Sequence, residues 1–455
     1  MSGHSDAQTG IADVNYSRFL NSVSAAREQS VIKSLRVLAS KSHSSLISMW
    51  GGVPNSSTYL FKKASITIYD GSVIEIDEDL MKIALDYSLG QGIPALVSWL
   101  KDLQILVHNP PTVNYSPDKG QMELCITNGG LEGLSKVFEM LVSPGDNVLV
   151  GEPIYEGALT MLRPLGCNII GVPSDDQGIN PQALKEVLSK WRPEDVRKPE
   201  SRSPKFLYTV PTGGNPIGIT LSTERKKAIY QIAREYDFLI IEDDPYYYLQ
   251  FTKPLVPSFL SMDVDGRVLR TDSMSKVVSP GLRIGFLTGP KPLIHKAILH
   301  MESSSMHVSA FTQVMTSQLL YRWGQKDFLE HTDRVAEFYR LQRDAMLLSA
   351  DKWLTGLAEW QCPNAGMFLW IKIKNIQDTE NLVLEKAFKK EVLLAPGNSY
   401  LTDRSKPCPY VRASFSTCSP EQIDKGFQSL AMAIKEEITS GKEINGLSKE
   451  KDGSQ

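Results

Sequence analysis

Seven short apolar runs, at residues 122–127, 147–150, 168–172, 205–210, 238–241, 268–271 and 284–288, alternate with amphipathic stretches at 131–142, 155–163, 181–190 and 222–236. No other feature limits the fold as much. Strands written as unbroken apolar runs between helices are buried on both faces, and such strands pair in parallel under covering helices. The pattern predicts an α/β domain on a mainly parallel seven-stranded sheet. Asp146, Thr223 and Glu224 stand near the turns and helix starts that this reading needs.

Helical spacing at 79–89 and 94–107 places two helices ahead of the sheet. Earlier still, the apolar run 46–55 is broken by Gly51, Gly52 and Pro54 and reads as a strand entering a tight loop. Beyond about residue 308 the pattern shifts to long helices at 309–322 and 330–350. Short strands at 359–362, 367–373, 392–395 and 410–415 follow, with helices at 378–389 and 419–438, and predict a smaller α+β domain. The expected organisation is therefore a disordered 1–13, an N-terminal arm at 14–60, a large domain at 61–308, linking helices with a small domain at 309–438, and a disordered tail at 439–455. No internal repeat is present.

Composition narrows the function. With 42% hydrophobic and 22% charged residues, the 455-residue chain has ordinary globular character, and a formal net charge of −3 leaves no basic footprint for nucleic acid or an anionic membrane. Cys125, Cys167, Cys362, Cys408 and Cys418 have no paired spacing, which argues for reduced thiols and against a metal site. No apolar stretch is long enough to span a bilayer, and no secretory pattern follows Met1. Residues 14–43 are Ser-rich, with five Lys and Arg against Glu28 alone, a composition that suits a transit segment or a folded arm.

The chemistry is concentrated in a few stretches. Ser273-Met274-Ser275-Lys276 is followed by Arg283, so an amine and a fixed cation stand close in sequence. Pyridoxal phosphate (PLP) needs that pair, because its aldehyde joins a lysine and its phosphate must be neutralised. Taken alone the motif is short, and a solvated surface lysine is the better explanation of it. The strand at 238–241 runs into Glu242-Asp243-Asp244, placing acids at the carboxyl end of a strand where open sheets bind ligands. A carboxylate there can keep a pyridine nitrogen protonated. The competing reading, a magnesium site of a nucleotide hydrolase, lacks the glycine-lysine loop that cradles phosphates. Asn215, in Pro211-Thr212-Gly213-Gly214-Asn215-Pro216-Ile217-Gly218, follows the neighbouring strand, and the glycine segment 127–133 offers free amides and a helix start that suit a phosphate.

Together, Gly51-Gly52-Val53-Pro54, the strand, glycine loop and helix at 122–142, Asn215-Pro216-Ile217-Gly218, Asp243 to Tyr246, Ser273 to Lys276 with Arg283, and the late Tyr410-Val411-Arg412-Ala413-Ser414-Phe415 resemble the fold-type I PLP-dependent aminotransferases, over about 14–438. Within that family the chain is most similar to the kynurenine/α-aminoadipate subfamily, as in Lys205 to Pro211 and Ala358-Glu359-Trp360. The resemblance implies a PLP enzyme that transaminates aminoadipate, kynurenine or related amino acids, with 2-oxoglutarate as acceptor. It implies Lys276 as the Schiff-base lysine and acid-base, Asp243 on the pyridine nitrogen, Asn215 and Tyr246 on the ring oxygen, and Tyr155 stacked on the ring. The phosphate falls to Ser273, Arg283 and the amides of Gly130 and Leu131, with Tyr87 arriving from a partner subunit of a homodimer. Arg412 is implied for the substrate α-carboxylate, with Gly52, Asn215, Tyr155 and Lys33 completing the substrate side. A mitochondrial matrix location is implied, with the cytosol as alternative, and neither a metal, a nucleic acid nor a membrane partner.

Several positions depart from the family pattern. Gly130 and Leu131 stand where a serine and a polar residue are usual, Ile217 replaces a threonine, Trp50 replaces a small residue, and Lys33 stands where an arginine often meets an acidic side chain. A lost hydroxyl-phosphate bond costs roughly 1.5–3 kcal/mol. Lysine keeps the charge of arginine without its planar fork. These departures leave open a β-lyase acting on cysteine conjugates, or a weakly PLP-binding paralogue that performs no turnover. A PLP-fold transcription regulator is disfavoured, since no helix-turn-helix precedes residue 46.

Overall fold

A computed structural model of the chain describes residues 13–32, 35, 38, 46, 47, 49 and 51–452, with side chains up to 439. In chain order the strands are β1 (Ala64–Thr67), β2 (Val73–Ile76), β3 (Met122–Asn128), β4 (Asn147–Glu152), β5 (Asn168–Asp175), β6 (Gly178–Ile179) and β7 (Phe206–Thr209). There follow β8 (Leu239–Asp243), β9 (Val268–Ser273), β10 (Ile284–Pro290), β11 (Ala358–Trp360), β12 (Phe368–Ile373), β13 (Ala395–Pro396) and β14 (Tyr410–Ser414). The chain divides into two compact units, the first made of residues 1–146, 237–245 and 258–329, the second of 147–236, 246–257 and 330–455.

Of the eight strands with large-sheet order, each unit holds four. In the first unit the order is β3, β10, β9, β8. Strand β10 runs antiparallel to both of its neighbours, while β8 and β9 are parallel, with Glu242 opposite Arg270 and Asp243 opposite Thr271. The seven strands expected from sequence are all present. The eighth, β6, is only two residues long and turns back antiparallel on β5, too short to leave a periodic signal.

Close backbone approach shapes this unit. Gly285 of β10 lies where an added Cβ would come within 2.5 Å of Gly129 C and 2.6 Å of Gly130 N, so β10 passes directly against the loop that ends β3. The N-terminal stretch is anchored on the same unit: Phe19 is fully buried, the Tyr16 hydroxyl donates to Gly266 O at 2.8 Å, and Arg18 pairs with Asp237 at 2.8 Å. Burying a phenylalanine contributes about 1.5–3 kcal/mol. The hairpin β1–β2 and the helix Lys291–Ser304 have no counterpart in the sequence reading. Among the described residues of 46–55 no strand forms, because the two glycines and Pro54 leave too short an apolar run to pair.

In the second unit β7, β4 and β5 are parallel and β6 closes the edge. The same unit holds an antiparallel sheet in the order β11, β12, β14, β13. Its core joins Leu369, Ile371 and Ile373 of β12 to Met346, Ala350 and Leu354 of one helix and Phe427, Leu430 and Ile434 of the last helix, Pro420–Asp452. Two separate long helices are expected at 309–322 and 330–350. Two helices are found within Ala310–Leu354, separated at Gly324, whose φ of 65° and ψ of −177° lie outside the helical region.

Gly285→Ala should lower the unfolding free energy by about 1–3 kcal/mol, the usual cost of forcing extra volume into a packed site. Urea denaturation of the purified variant measures it, and a loss well under 1 kcal/mol would show that the loop can move aside.

Candidate functional site

In the first unit the decisive side chains stand at the carboxyl ends of β8 and β9. Alternation along β8 sends Glu242 and Asp244 to one face and Asp243 to the other. Glu242 and Asp244 meet the fully buried Arg270, at 3.2 and 2.9 Å, and Asp272 meets it at 2.8 Å. Glu242 also accepts the backbone N–H groups of Phe259 and Leu260. The acidic triplet is therefore no metal cluster, since two of its members are committed to Arg270. Asp243, buried, accepts a hydrogen bond from the Thr271 hydroxyl at 2.8 Å.

After β9 the chain enters the one-turn helix Met274–Lys276, started by the Ser273 hydroxyl, which accepts from Ser275 N at 3.2 Å. This turn holds Lys276 half-buried. Burial, with the Arg283 charge adding to it, lowers the Lys276 pKa below the usual lysine value. Arg283 has a left-handed φ of 54° and donates to Asn128 O at 3.1 Å and Pro280 O at 3.2 Å. Its guanidinium lies against Gly129, where a Cβ would come within 2.2 Å of Nη2.

The helix Gly129–Leu141 starts from that loop. Its first amides, the Ser273 hydroxyl and Arg283 form a donor set suited to a phosphate. At Gly130 an added Cβ would meet nothing closer than 3.8 Å, and the nearest atom is Ser273 Cβ. The cradle thus has room for an anion, and its donors fit the phosphate of PLP, while Lys276 and Asp243 fit an aldehyde and a pyridine nitrogen. Leu131 and Tyr87 are exposed, Tyr87 lying edge-on to His307 with ring centroids 6.2 Å apart. Gly52 lies in an exposed stretch with open space around it. Lys33 and Trp50 lie outside the described residues.

The second unit carries another cluster. Arg412 on β14 donates to Asn215 Oδ1 at 2.8 Å, and its guanidinium lies 4.2 Å from the Phe368 ring centroid and 5.1 Å from that of Tyr400. Arg412 Nε is buried without a hydrogen-bond partner. Tyr246, buried, meets Phe368 edge to face at 6.0 Å. Tyr155 precedes the helix Glu156–Leu162, and beside it Ile154 N donates to Tyr400 O at 3.0 Å. A guanidinium packed against two rings and with an unsatisfied Nε has the chemistry to receive a carboxylate in its plane.

Sequence reasoning missed Thr271, Arg270, Phe368 and Tyr400. Arg270 and Asp272 did leave a signal, two opposite charges two residues apart inside a six-residue strand. Nothing in the sequence marks the two aromatic residues.

The family of proteins described as "Aminotransferase class I and II" matches residues 91–430. The chain belongs to the class I and II aminotransferases. It is 59% identical to the mitochondrial kynurenine/α-aminoadipate aminotransferase of Bos taurus and 57% identical to that of Rattus norvegicus, in both cases over 93% of this chain and all of the relative. Among solved structures it is similar to aminotransferase Aro8 of Candida albicans, with a TM-score of 0.83, 28% identity, and coverage of 94% of this chain and all of the other. The kynurenine aminotransferase of Pyrococcus horikoshii, solved with the aminated cofactor, gives 0.72 and 29% over 93% of this chain and 98% of its own. The fold class expected from sequence, a fold-type I aminotransferase with a large central sheet, is the one found.

Because the folded state lowers the Lys276 pKa, the unfolded chain binds more protons than the folded one between the two pKa values, and stability rises with pH there. The penalty is full below the folded value and disappears above the unfolded one. Cofactor-free Lys276→Met should therefore be more stable than the parent at pH 7, with the advantage shrinking as the pH approaches the ordinary lysine range. Urea titrations at a series of pH values test this, and a less stable variant at neutral pH would contradict it.

Proposed function

We propose that the chain is a PLP-dependent aminotransferase that takes the amino group from L-kynurenine, L-α-aminoadipate or related amino acids and passes it to 2-oxoglutarate. The observation that carries this reading is the 59% identity to a kynurenine/α-aminoadipate aminotransferase, which runs through both units rather than through one motif. The names of the bovine and rat relatives also support a mitochondrial location.

PLP, when bound, supplies an electron-withdrawing ring to which the substrate nitrogen is joined. Lys276 Nζ takes the proton from the substrate Cα and returns it later in the reaction, a task suited to an amine whose proton affinity has been lowered. Asp243, with Thr271 donating to Oδ1, holds the proton on the ring nitrogen. Ser273, Arg283 and the Gly130 and Leu131 amides hold the phosphate. Tyr155 orients the ring, and Asn215 and Tyr246 donate to its oxygen. Arg412 binds the α-carboxylate, which every donor and acceptor shares, so the same residue serves both halves of a ping-pong reaction. Gly52 and Lys33 are assigned to the substrate side chain.

The proposed assembly is a homodimer in which Tyr87 of the partner subunit reaches the phosphate. Supporting it, the first unit exposes Leu60, Phe61, Tyr69 and Tyr87, more large apolar surface than a monomer usually leaves uncovered.

Purified protein with PLP should show an aldehyde-derived absorbance band that L-kynurenine or L-α-aminoadipate converts to the aminated-cofactor band, and 2-oxoglutarate should reverse the change. Lys276→Ala should slow turnover by roughly a hundred- to ten-thousandfold, the usual contribution of a positioned acid-base. Retained transamination by that variant would sink the lysine assignment. PLP binding without conversion by any amino acid would instead favour a paralogue silenced at Gly130 and Leu131.

A further inference from the structure

Arg412 is held by more than its own strand. Tyr400, one of the two rings against its guanidinium, ends the short turn Gly397–Tyr400, and this turn is fastened to the end of β4. Glu152 Oε1 accepts from Thr402 N at 2.7 Å and from the Thr402 hydroxyl at 2.6 Å. Ile154 N donates to Tyr400 O at 3.0 Å, and Arg163 donates to Leu401 O at 3.1 Å. Farther out, Arg404 pairs with Glu156 at 2.7 Å. Two glycines make the fastening possible. At Gly171 a Cβ would fall 2.5 Å from Glu152 Oε2, and at Gly397 one would fall 2.5 Å from Cys408 Sγ and from Tyr410 O.

We propose that Glu152 is a positioning residue for substrate binding, which latches the 400–402 segment and thereby holds the Tyr400 ring on the face of Arg412. The proposal rests on Arg412 as the α-carboxylate site. Glu152 takes no part in proton transfer. Its carboxylate is anchored on β4, an inner strand, and its two acceptor bonds fix Thr402, next to the Ile154 and Arg163 bonds that hold Tyr400 and Leu401. A guanidinium with one ring withdrawn gains rotational freedom and a hydration shell, and both must be given up when a carboxylate arrives. Since the α-carboxylate is common to all substrates, the loss should be the same for every amino acid and oxo acid, whatever its side chain. A residue lining the side-chain pocket would discriminate among them.

The test uses the PLP-loaded full-length protein. Glu152→Ala should raise KM for L-kynurenine, L-α-aminoadipate and 2-oxoglutarate by a common factor of roughly tenfold, with kcat within about twofold. It should weaken binding of 3-phenylpropionate, a non-reacting carboxylate read through the cofactor absorbance, by the same factor. Glu152→Gln, which keeps an acceptor for Thr402 N, should recover most of the loss and guards against a variant that fails to fold. In an Arg412→Gln background the Glu152→Ala change should add little, because the two act through one contact. Unchanged KM in folded Glu152→Ala overturns the latch, and so does a fall in kcat at constant KM or a rise confined to one substrate. If Arg412→Gln itself leaves KM and 3-phenylpropionate binding unaltered, the failure lies in the carboxylate assignment rather than in the latch.

Discussion

The buried Arg270 sets the strand register of the first unit. Arg270 is removed from water entirely, which opposes its charge, yet Asp272, Glu242 and Asp244 together outweigh that penalty and hold it protonated. Such a cluster is a poor source of stability, since desolvating charges costs about what their attraction returns. Its effect here is geometric. Glu242 comes from β8 and Asp244 from the residue after it, Arg270 and Asp272 come from β9, and the Arg270 pairs with Glu242 and Asp244 join the two segments at the register that sets Asp243 opposite Thr271. Sliding β9 by one residue would carry Arg270 and Asp272 away together and leave Glu242 and Asp244 buried without their cation. The interior side of the two strands thus fixes what their other side presents.

That constraint extends to the cofactor half-site. Ser273 and Lys276 follow β9 directly, so the register that aligns Asp243 also sets where the lysine begins. On the next strand, β10, Gly285 lets the backbone run against the Gly129–Gly130 loop, and Arg283, just before it, lies across that loop. Glycine at 129 is required twice over, by its φ of 75° and by the guanidinium beside it. At 130 no such demand exists, and a side chain would have room. The absence of a hydroxyl at 130 is therefore no steric necessity.

Sequence alone carried the strands of the large sheet to within a few residues because buried parallel strands are apolar throughout and bounded by turn residues, as at 122–127 and 238–241. Lys276, Asp243 and Arg412 were legible through resemblance and through the cost of placing charges near apolar strands. Other features were written in no local pattern. The hairpin at 64–76 alternates over only four residues per strand, and the helix at 291–304 carries a weak apolar stripe beside His295 and His300. The hydroxyl of Thr271 and the rings of Phe368 and Tyr400 matter through contacts that span up to 44 residues of chain, and periodicity is silent about such distances.

If Arg412 is the α-carboxylate site proposed above, its surroundings would let one contact serve substrates with different side chains. The Phe368 and Tyr400 rings lie against the guanidinium and Asn215 occupies one nitrogen, while in the plane of the group the buried Nε still lacks a partner. An unsatisfied buried donor costs about 1–3 kcal/mol, more when it is charged, and a carboxylate arriving in that plane removes the cost. Any molecule with an α-carboxylate obtains this gain, amino acid and oxo acid alike. Discrimination among side chains has to come from elsewhere, through groups that one substrate satisfies and another leaves unpaired. Recognition of the common carboxylate and choice among side chains are in this way assigned to different residues, and a change in the second set can alter specificity while the anchoring of the substrate stays the same.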